Sequence, residues 1–379
     1  MSSVLIYADT IRSPELRHEV PADIMDPFLY AEVDGRRYAV ISQLDADTVR
    51  RRAPDVEIIE PDQLGLDELI ERHPHREDAF QELMVRACRR MGIDAAVVPS
   101  NFPLELADRL RGAGLELTAD RDLFESRRRA KSTAELEGIE RAQRAAEAAM
   151  GAAAELLRAA EPAGDVLQVG SEPLTSERLK EAIAEALSSH PVSCEEPIAS
   201  HGPQAAVGHD HGSGAIAPSE PVVIDLWPMD TDSACFADMT RTFVVGEVSE
   251  DIRHWHSLCE EALTRARAAI RPGANGRDPY QAVCDLFAEH GLPTQLSKKP
   301  GETLREGFFH SLGHGVGLEV HEAPSLGRTR GDELVAGDVL AVEPGLYRLD
   351  TGGVRLEDLV VVTEHGCETL TDYPYALDP

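Results

Sequence analysis

Four acidic residues lie inside apolar, strand-like segments of the second half of the chain, and this pattern limits its possible folds more than any other feature. The segments are PVVIDLW with Asp225, CFADMTRTFVV with Asp238, DVLAVEPGLY with Glu343 and GGVRLEDLVVV with Glu357. The first two carboxylates are 13 residues apart and the last two are 14 apart, so each pair fits one β-hairpin. Two similar hairpins, each with two inward carboxylates, predict a duplicated half-domain.

These four carboxylates need positive charge if they are buried together. A single one would more often lie at an edge or face outward, but four at matched positions argue against that interpretation. Burial without a partner is costly, and the charges would raise one another's pKa. The four segments contain no lysine, and Arg241 and Arg355 would neutralise two carboxylates at most. Two divalent cations would balance all four charges, and oxygen ligands with imidazole suit Mn, Co, Zn or Fe(II).

The segment FFHSLGHGVGLEVHEAP lies between the two hairpins and contains His310, His314 and His321. Its glycines disfavour a helix, and the residue four beyond His321 is Ser325, so a helical H-E-x-x-H zinc site is excluded. The glycines predict a backbone packed closely against a site, with His321 on a strand that leaves it, although one such histidine alone would more often be a core residue. A second histidine-rich segment precedes the first hairpin and contains His201, His209 and His211, of which at least one is predicted to be a surface residue.

The charge balance and the missing motifs exclude several classes of function. The chain has 37 Lys and Arg against 68 Asp and Glu, a net charge of −31, which disfavours nucleic acid and anionic membranes as partners. The sequence has no phosphate-binding loop, nucleophile elbow or dinucleotide fingerprint. It has no signal-peptide-like start, no stretch of 18 apolar residues and no C-x-x-C among its 6 cysteines, so we expect a cytoplasmic protein with reduced thiols.

The chain divides into two predicted domains. Residues 1–125 alternate strand-like runs such as VLIYA, RRYAVIS and DAAVVPS with helical stretches such as Asp78–Met91, which predicts an N-terminal α/β domain. Residues 126–379 form the second domain, which holds the carboxylates and histidines described above. Its predicted helices span about 132–160, 176–188, 252–270 and 278–290.

The join between these domains carries a basic run, Arg127–Lys131, which we interpret as an exposed connector. Ser132 and Glu135 follow it and match a capping box, in which each side chain satisfies a free N–H of a new helix. The helix is predicted to end near Ala160, before a Pro-Ala-Gly sequence.

In this order, the segments VVID…ADMTRTF, HSLGHGVGLEVHE, VEPGLY and GGVRLEDLVVV resemble the M24 metallopeptidases, the family of Xaa-Pro aminopeptidase, prolidase and methionine aminopeptidase. The resemblance covers the chain from about Arg129 to its end. It implies an α+β protein with a C-terminal pita-bread domain, built from duplicated halves of helices and antiparallel strands. The N-terminal part resembles the smaller α/β domain of the creatinase and prolidase type, and this resemblance rests on less distinctive sequence.

The resemblance also implies a set of site residues. The implied ligands of two divalent ions, most often Mn or Co with Zn or Fe as alternatives, are Asp225, Asp238, His314, Glu343 and Glu357. The implied substrate-binding or transition-state residues are His209, His310, His321 and Arg355.

Within this resemblance, each residue has an expected role. Asp238 and Glu357 would bridge the two ions, and Glu343 would also carry a proton to the leaving nitrogen. His310 and His321 would donate hydrogen bonds to the developing oxyanion or the leaving group. Creatinase-like members lose the metal ligands, so the five intact positions argue against that branch.

The sequence departs from the family in one place. The spacing of 13 residues between Asp225 and Asp238 is two longer than is common in the family. The extra residues fall around Pro228–Ser233, and we predict a hairpin turn there, with Asp230 and Asp232 as solvated residues. The departure concerns the loop near the substrate and leaves the ligands intact.

These expectations define a first hypothesis: a dinuclear metal-dependent peptidase, a homodimer, that hydrolyses Xaa-Pro bonds in dipeptides or at the N-terminus of peptides. The N-terminal domain would close over the site and limit substrate length. The alternative is a non-peptidase hydrolase or lyase on the same scaffold, acting on a small C–N or C–S compound. A third hypothesis, a peptide-binding module without activity, is disfavoured by the intact ligands.

Overall fold

The computed structural model describes residues 3–329 and 331–379. The chain forms two compact units, Met1–Arg128 and Arg129–Pro379. The boundary predicted after residue 125 lies inside the helix Arg121–Arg129, near whose end the units divide. None of the described helices is both long and apolar enough to cross a membrane.

The first unit is built around one mixed sheet. Its strands are β1 (Ser3–Ala8), β2 (Phe28–Val33), β3 (Arg36–Val40), β4 (Val56–Ile59), β5 (Ala95–Val98) and β6 (Glu116–Ala119). Its helices are α1 (Pro14–Glu19), α2 (Gln43–Arg52), α3 (Leu66–Arg72), α4 (Arg76–Met91), α5 (Leu104–Gly112) and α6 (Arg121–Arg129). The strand order is β4-β3-β2-β1-β5-β6, with an antiparallel β1-β2-β3 centre and parallel strands outside it. The predicted α/β character of this part of the chain is confirmed.

The second unit combines long helices with several small antiparallel sheets. Its helices are α7 (Thr133–Arg158), α8 (Ser176–Leu187), α9 (Glu250–Ala269) and α10 (Arg277–Glu289). Its first strands are β7 (Glu161–Ala163), β8 (Val166–Val169), β9 (Glu172–Pro173), β10 (Val192–Ser193), β11 (Ile198–His201), β12 (Pro221–Leu226), β13 (Met229–Asp230) and β14 (Met239–Val244). The remaining strands are β15 (Glu306–Gly307), β16 (Gly313–Gly315), β17 (Glu322–Leu326), β18 (Val339–Val342), β19 (Gly345–Arg348), β20 (Gly352–Arg355), β21 (Asp358–Val362) and β22 (Cys367–Thr369).

Two similar halves make up this second unit. Helices α7 and α8 pack on each other and on the sheet β11-β12-β14, around buried residues such as Met150 and Ile224. Helices α9 and α10 pack in the same way beside β18 to β21, around Leu263, Phe287 and Leu340. A helix pair beside antiparallel strands occurs twice, as the matched carboxylate hairpins predict.

The second predicted hairpin, however, is divided between two sheets. Strand β18 pairs with β21 in a five-stranded sheet, whereas β19 pairs with β20 in a three-stranded sheet. Glu343 and Glu357 lie in the breaks where the two chain segments pass from one sheet to the other, and Pro344, which has no N–H to donate, marks the first break. The expectation that all four carboxylates lie inside strands is therefore wrong for these two, and Asp238 lies one residue before β14.

The prediction that the basic run Arg127–Lys131 is exposed is also wrong. Four of its side chains form ion pairs with acidic residues. The partners are Glu19 and Glu32 for Arg127, Glu15 for Arg128, Asp338 for Arg129 and Glu322 for Lys131. A chain with so many carboxylates offers partners at sequence separations that a local charge pattern does not reveal.

Candidate metal centre

The ends and breaks of strands position the predicted ligands. Asp225 lies on β12, Asp238 immediately before β14, His314 on β16, Glu343 after β18 and Glu357 after β20. The main chain fixes the two glutamates, because Glu343 N donates to Leu312 O at 2.8 Å and Glu357 N donates to Thr240 O at 3.0 Å. Residues more than 100 apart in sequence are thereby held at one point between the two halves of the second unit.

Three of these residues form a close group. One ligand atom each from Asp238, His314 and Glu357 lies within 4.8 Å of the others. His314 Nε2 is 3.8 Å from Asp238 Oδ2 and 3.8 Å from Glu343 Oε1. These distances are too long for hydrogen bonds and leave room for an ion among the ligand atoms.

The protonation of His314 suits metal binding. Its Nδ1 lies 3.2 Å from the carbonyl oxygen of Gly315, which can only accept, so Nδ1 carries the proton. Burial and the neighbouring His321 lower the pKa of His314 to about 4, so the ring is neutral at neutral pH. The lone pair of Nε2 therefore faces the carboxylates, and the carbonyl fixes the ring orientation as outer partners of metal ligands do.

Asp225 is linked to Glu357 through the Arg355 guanidinium and the Thr240 hydroxyl. Arg355 Nη2 donates to Asp225 Oδ2 at 2.5 Å, and Arg355 Nε donates to Thr240 Oγ1 at 3.2 Å. Thr240 Oγ1 donates in turn to Glu357 Oε2 at 2.7 Å. The second oxygen of Asp225, Oδ1, is buried and has no hydrogen-bond partner among the described residues. A buried carboxylate oxygen without a hydrogen-bond donor is costly, and coordination to a cation would satisfy it.

The electrostatics of the group also fit a bound cation. Burial and neighbouring carboxylates raise the pKa of Asp238 and of Glu357 well above their ordinary values. Burial, opposed by Arg355 and assisted by Asp225, raises the pKa of Glu343 to about 7. Arg241 gives the group no side-chain ion pair, because it binds Asp358 at 3.0 Å, so Arg355 is the arginine that touches the group. The chemistry of these donors, carboxylate oxygens with one imidazole, fits divalent metals.

Two further predicted residues lie beside the group. The rings of His321 and His314 are 4.2 Å apart in an edge-on arrangement, and His321 is exposed. Burial is the main cause that lowers the pKa of His310 and of His321, and the nearby His209, which is exposed, lowers both pKa values further. His321 lies in a bend, and the strand β17 begins one residue later, so the prediction that a strand carries His321 is wrong.

His310 has both ring nitrogens occupied. Nδ1 donates to Ser311 O at 2.7 Å, and Nε2 lies 2.9 Å from the Tyr347 hydroxyl. Burial, together with Arg355 and His209, lowers the pKa of His310 to about 3, so the ring is neutral and Nε2 accepts from Tyr347. In this arrangement neither nitrogen donates to a substrate.

The remaining histidines of the second cluster differ in role. His201 is buried at the end of β11 and pairs with Glu220 at 2.9 Å, which makes it a structural residue. His211 is exposed and its ring lies 6.4 Å from the Trp227 ring. The prediction that at least one of the three is a surface residue agrees with these positions.

Close backbone packing at the glycines around His314 is confirmed. A Cβ added to Gly313 would lie 1.9 Å from Ala341 O, and one added to Gly315 would lie 2.3 Å from Ala323 O. Only glycine allows β16 to fit between its neighbours β17 and β18. The glycines thus bring the strand that carries His314 into the centre of the unit.

The extra turn between Asp225 and Asp238 is partly buried. Asp230 is 0% exposed and accepts two hydrogen bonds from Arg141, at 2.8 and 2.9 Å. It also accepts from the backbone N and the hydroxyl of Ser233. The prediction that Asp230 is solvated is therefore wrong, because helix α7 supplies a cation that the hairpin pattern does not show, whereas Asp232 is exposed.

Sequence reasoning missed Thr240 and Tyr347. Thr240 lies two residues after Asp238, so both side chains point to one face of the strand, and this spacing is a usable signal. Tyr347 is 1% exposed within an apolar strand, where a phenol needs a hydrogen-bond partner. That partner is His310.

Comparison with known proteins places the chain among peptidases. A profile of metallopeptidase family M24 matches residues 137–364, more than half of the chain. The Xaa-Pro dipeptidase of Pyrococcus furiosus is 37% identical over 150 residues, which cover 40% of this chain and 39% of that protein. The uncharacterized peptidase YqhT of Bacillus subtilis is 37% identical over 141 residues, 37% of this chain and 36% of the relative. The chain thus spans less than two-fifths of the length of these curated relatives in the alignments.

Solved structures extend the similarity to the whole chain. The prolidase from Pyrococcus horikoshii has a TM-score of 0.77 and 23% identity, over 100% of this chain and 95% of the other. The Xaa-Pro dipeptidase from Bacillus anthracis has a TM-score of 0.79 and 22% identity, over 99% and 94%. These likenesses establish the fold, a pita-bread domain preceded by an α/β domain.

Proposed function

This chain belongs to metallopeptidase family M24, and on that premise we propose that it is a dinuclear metal-dependent peptidase that hydrolyses Xaa-Pro bonds in dipeptides or at the N-terminus of peptides. The observation that carries the proposal is the group of Asp238, His314 and Glu357 ligand atoms within 4.8 Å of one another. Glu343 and the unpartnered oxygen of Asp225 adjoin this group and complete the set of five ligands.

We assign the metal chemistry to Mn²⁺ or Co²⁺. Two such ions held by these ligands would supply a nucleophile from water at neutral pH and polarise the scissile carbonyl. Asp238 and Glu357 would serve both ions, Asp225 would hold one, and His314 and Glu343 would hold the other.

The chain's own groups perform the remaining steps. Glu343 takes a proton from the attacking water and passes it to the leaving nitrogen. His321 donates to the oxyanion that develops in the transition state, and His209 and Arg355 bind the substrate. His310 acts as a positioning residue for the Tyr347 hydroxyl, since both of its own ring nitrogens are hydrogen-bonded.

Selectivity for proline is supported by the relatives. The Pyrococcus furiosus relative is named an Xaa-Pro dipeptidase and aligns with 40% of this chain. The nitrogen of an Xaa-Pro bond carries no hydrogen, so a site that cleaves this bond does not require a hydrogen bond donated by that nitrogen.

The proposal is tested with a substrate panel. The purified protein is treated with a chelator, reloaded with Mn²⁺ or Co²⁺, and incubated with Ala-Pro, Ala-Ala, Met-Ala and longer Xaa-Pro peptides. We expect no hydrolysis after chelation, recovery after reloading, and cleavage of Xaa-Pro bonds with little action on the others. Equal rates on Ala-Pro and Ala-Ala would indicate a general peptidase, and no peptide hydrolysis by the metal-loaded protein would favour a non-peptidase hydrolase or lyase.

The ligand assignment has a separate test. Asp238→Ala should lose more metal and more turnover than Asp225→Ala, because a bridging carboxylate holds both ions. Elemental analysis and kcat are measured on the same preparations. Two metals per chain and normal turnover in Asp238→Ala would contradict the bridging role.

From the sequence we also propose a cytoplasmic homodimer. Consistent with reduced thiols, all six cysteines are free in the structure. Analytical ultracentrifugation of the metal-loaded protein would test the oligomeric state.

A further inference from the structure

We propose that the buried ion pair between Lys131 and Glu322 positions His321 for transition-state binding. This inference rests on the proposed function, because it concerns the residue to which that proposal gives the oxyanion contact. The Lys131 ammonium donates to the Glu322 carboxylate, and in this proposal the pair acts on the substrate through the segment that carries His321.

The pair is deeply buried. Lys131 Nζ donates to Glu322 Oε1 at 2.5 Å, and the two side chains are 3% and 2% exposed. Glu322 directly follows His321 and pairs in register with Gly315, the neighbour of the ligand His314. The pair is therefore attached to the main chain directly after the exposed imidazole, beside the strand that carries the metal ligand.

The same pair supports the bend that precedes His321. A Cβ added to Gly317 would lie 2.6 Å from Glu322 Oε1 and 2.8 Å from Lys131 Cε, so the pair packs directly against the backbone of the bend. Gly317 O also accepts a hydrogen bond from Phe236 N at 2.8 Å. The bend is thus fixed from two sides, although His321 at its end is exposed.

This arrangement explains how an exposed imidazole keeps a fixed orientation. The His321 ring rests against the His314 ring at 4.2 Å, and the following residue is anchored by the ion pair. A group that binds charge in the transition state must be held in place before reaction, and displacement by about 1 Å can cost on the order of 10²-fold in rate. Loss of the pair should therefore lower turnover without removing the metals.

The test compares Lys131→Met and Glu322→Gln with a matched control, Arg129→Met. Glu322→Gln keeps a hydrogen-bond acceptor and serves as the milder variant if Lys131→Met folds poorly. Arg129 forms an ion pair with Asp338 in the same unit, at 2.7 Å with side chains 11% and 0% exposed. We measure kcat and KM on Ala-Pro, metal content, thermal midpoint and hydrogen–deuterium exchange of residues 316–322.

We expect Lys131→Met and Glu322→Gln to lower kcat by about 10-fold to 100-fold with metal content and KM little changed. Arg129→Met should lower the thermal midpoint while the folded fraction keeps its kcat. In a His321→Ala background, Lys131→Met should cost no more than about threefold further, because residues that act as a unit are not additive. Exchange of residues 316–322 should be faster in Lys131→Met than in Arg129→Met.

An unchanged kcat in Lys131→Met, or an undiminished effect in the His321→Ala background, would overturn the inference. If the metal-loaded wild type cleaves no Xaa-Pro substrate, the proposed function fails, and the exchange measurement still decides whether the pair orders the His321 segment. Equal exchange in the Lys131 and Arg129 variants would then refute the positioning role.

Discussion

Single hydrogen bonds determine what each residue of the metal centre can do. The Thr240 hydroxyl accepts from Arg355 Nε at 3.2 Å and donates to Glu357 Oε2 at 2.7 Å. It therefore links Arg355, which pairs with Asp225, to a second carboxylate. Its side chain is 0% exposed, and no water can replace these bonds without rearrangement. The hydroxyl therefore fixes the direction in which Glu357 presents its other oxygen.

Thr240→Val should weaken the metal centre while keeping the shape of the side chain. The variant leaves Arg355 Nε and Glu357 Oε2 without this partner, and loss of such an outer contact typically costs about 10- to 100-fold in metal affinity or activity. Titration of the metal-free protein with Mn²⁺, followed by activity, measures the effect. Unchanged Mn²⁺ affinity together with unchanged kcat would show that the hydroxyl has no influence on the ligand.

His321→Ala should leave the fold and the metals intact but reduce kcat by about 10²- to 10³-fold, with a smaller change in KM. The imidazole is exposed, so its loss removes few packing contacts. The control is His290→Ala, which removes another exposed histidine whose ring lies 5.4 Å from that of His254. A His321→Ala protein with a lowered thermal midpoint but full turnover would make His321 a structural residue.

Helix α7 organises the second unit at the level of elements. Its capping box forms as the sequence predicts, with Ser132 Oγ accepting from Glu135 N at 3.2 Å and Glu135 Oε2 accepting from Ser132 N at 2.7 Å. One turn later the helix meets the extra turn of the chain, since a Cβ on Gly138 would lie 1.9 Å from Ser233 Oγ. Arg141 on the next turn then binds the buried carboxylate of Asp230.

The Arg141–Asp230 pair should be asymmetric in its effect on stability. Arg141→Met leaves a fully buried carboxylate without its cation and should lower the unfolding free energy by about 3 kcal/mol. Asp230→Asn should cost less, because the Arg141 side chain is 33% exposed and can be hydrated. Urea unfolding of the metal-loaded protein measures both.

The control for that comparison lies on the same helix. Arg144→Met removes an exposed pair with Glu140, at 3.7 Å with side chains 60% and 52% exposed, and should cost less than about 0.5 kcal/mol. Equal losses for the Arg141 and Arg144 variants would show that the pair with Asp230 does not hold the turn.

The charge of the whole molecule makes the metal centre a determinant of stability. The net charge is −31, and the four predicted carboxylate ligands are gathered at one point of the second unit. Arg355 faces them as a single positive charge. Without metals, protons must relieve the repulsion, and the folded chain therefore binds protons that the unfolded chain releases.

The metal-free protein should lose stability as pH rises from about 4.5 to 7. Burial raises the pKa of Glu343 from 4.5 to about 7, so between these values the folded state holds a proton that the unfolded state has lost. This proton stabilises the folded state fully below the unfolded-state pKa, and the stabilisation is lost as the pH rises through the folded-state pKa. The loss corresponds to about 3 kcal/mol of unfolding free energy. Calorimetry of the metal-free protein across this range measures it. Glu343→Gln should show a shallower pH dependence, and an equal slope in both proteins would contradict the assignment.

Much of the fold, and which residue types form the candidate site, could be predicted from local patterns in the sequence. The apolar periodicity that predicts α4 and the capping box that predicts α7 are local sequence signals. The apolar segments that carry the carboxylates are also local signals. Asp238, His314 and Glu357 were predictable as one group because buried carboxylates and imidazoles have few stable arrangements other than around a cation. The glycines beside His314 predicted close strands because only a missing side chain permits them.

The partners of these groups depend on tertiary packing and could not be predicted from local patterns. The passage of the chain between two sheets at Glu343 and Glu357, and the pairing of Lys131 with Glu322, join residues far apart in sequence. Asp230 looked solvated because its turn is polar, yet a helix nearly 90 residues earlier supplies its cation. Local patterns report which side chains must be buried or paired, whereas the identity of the partner depends on how the elements pack.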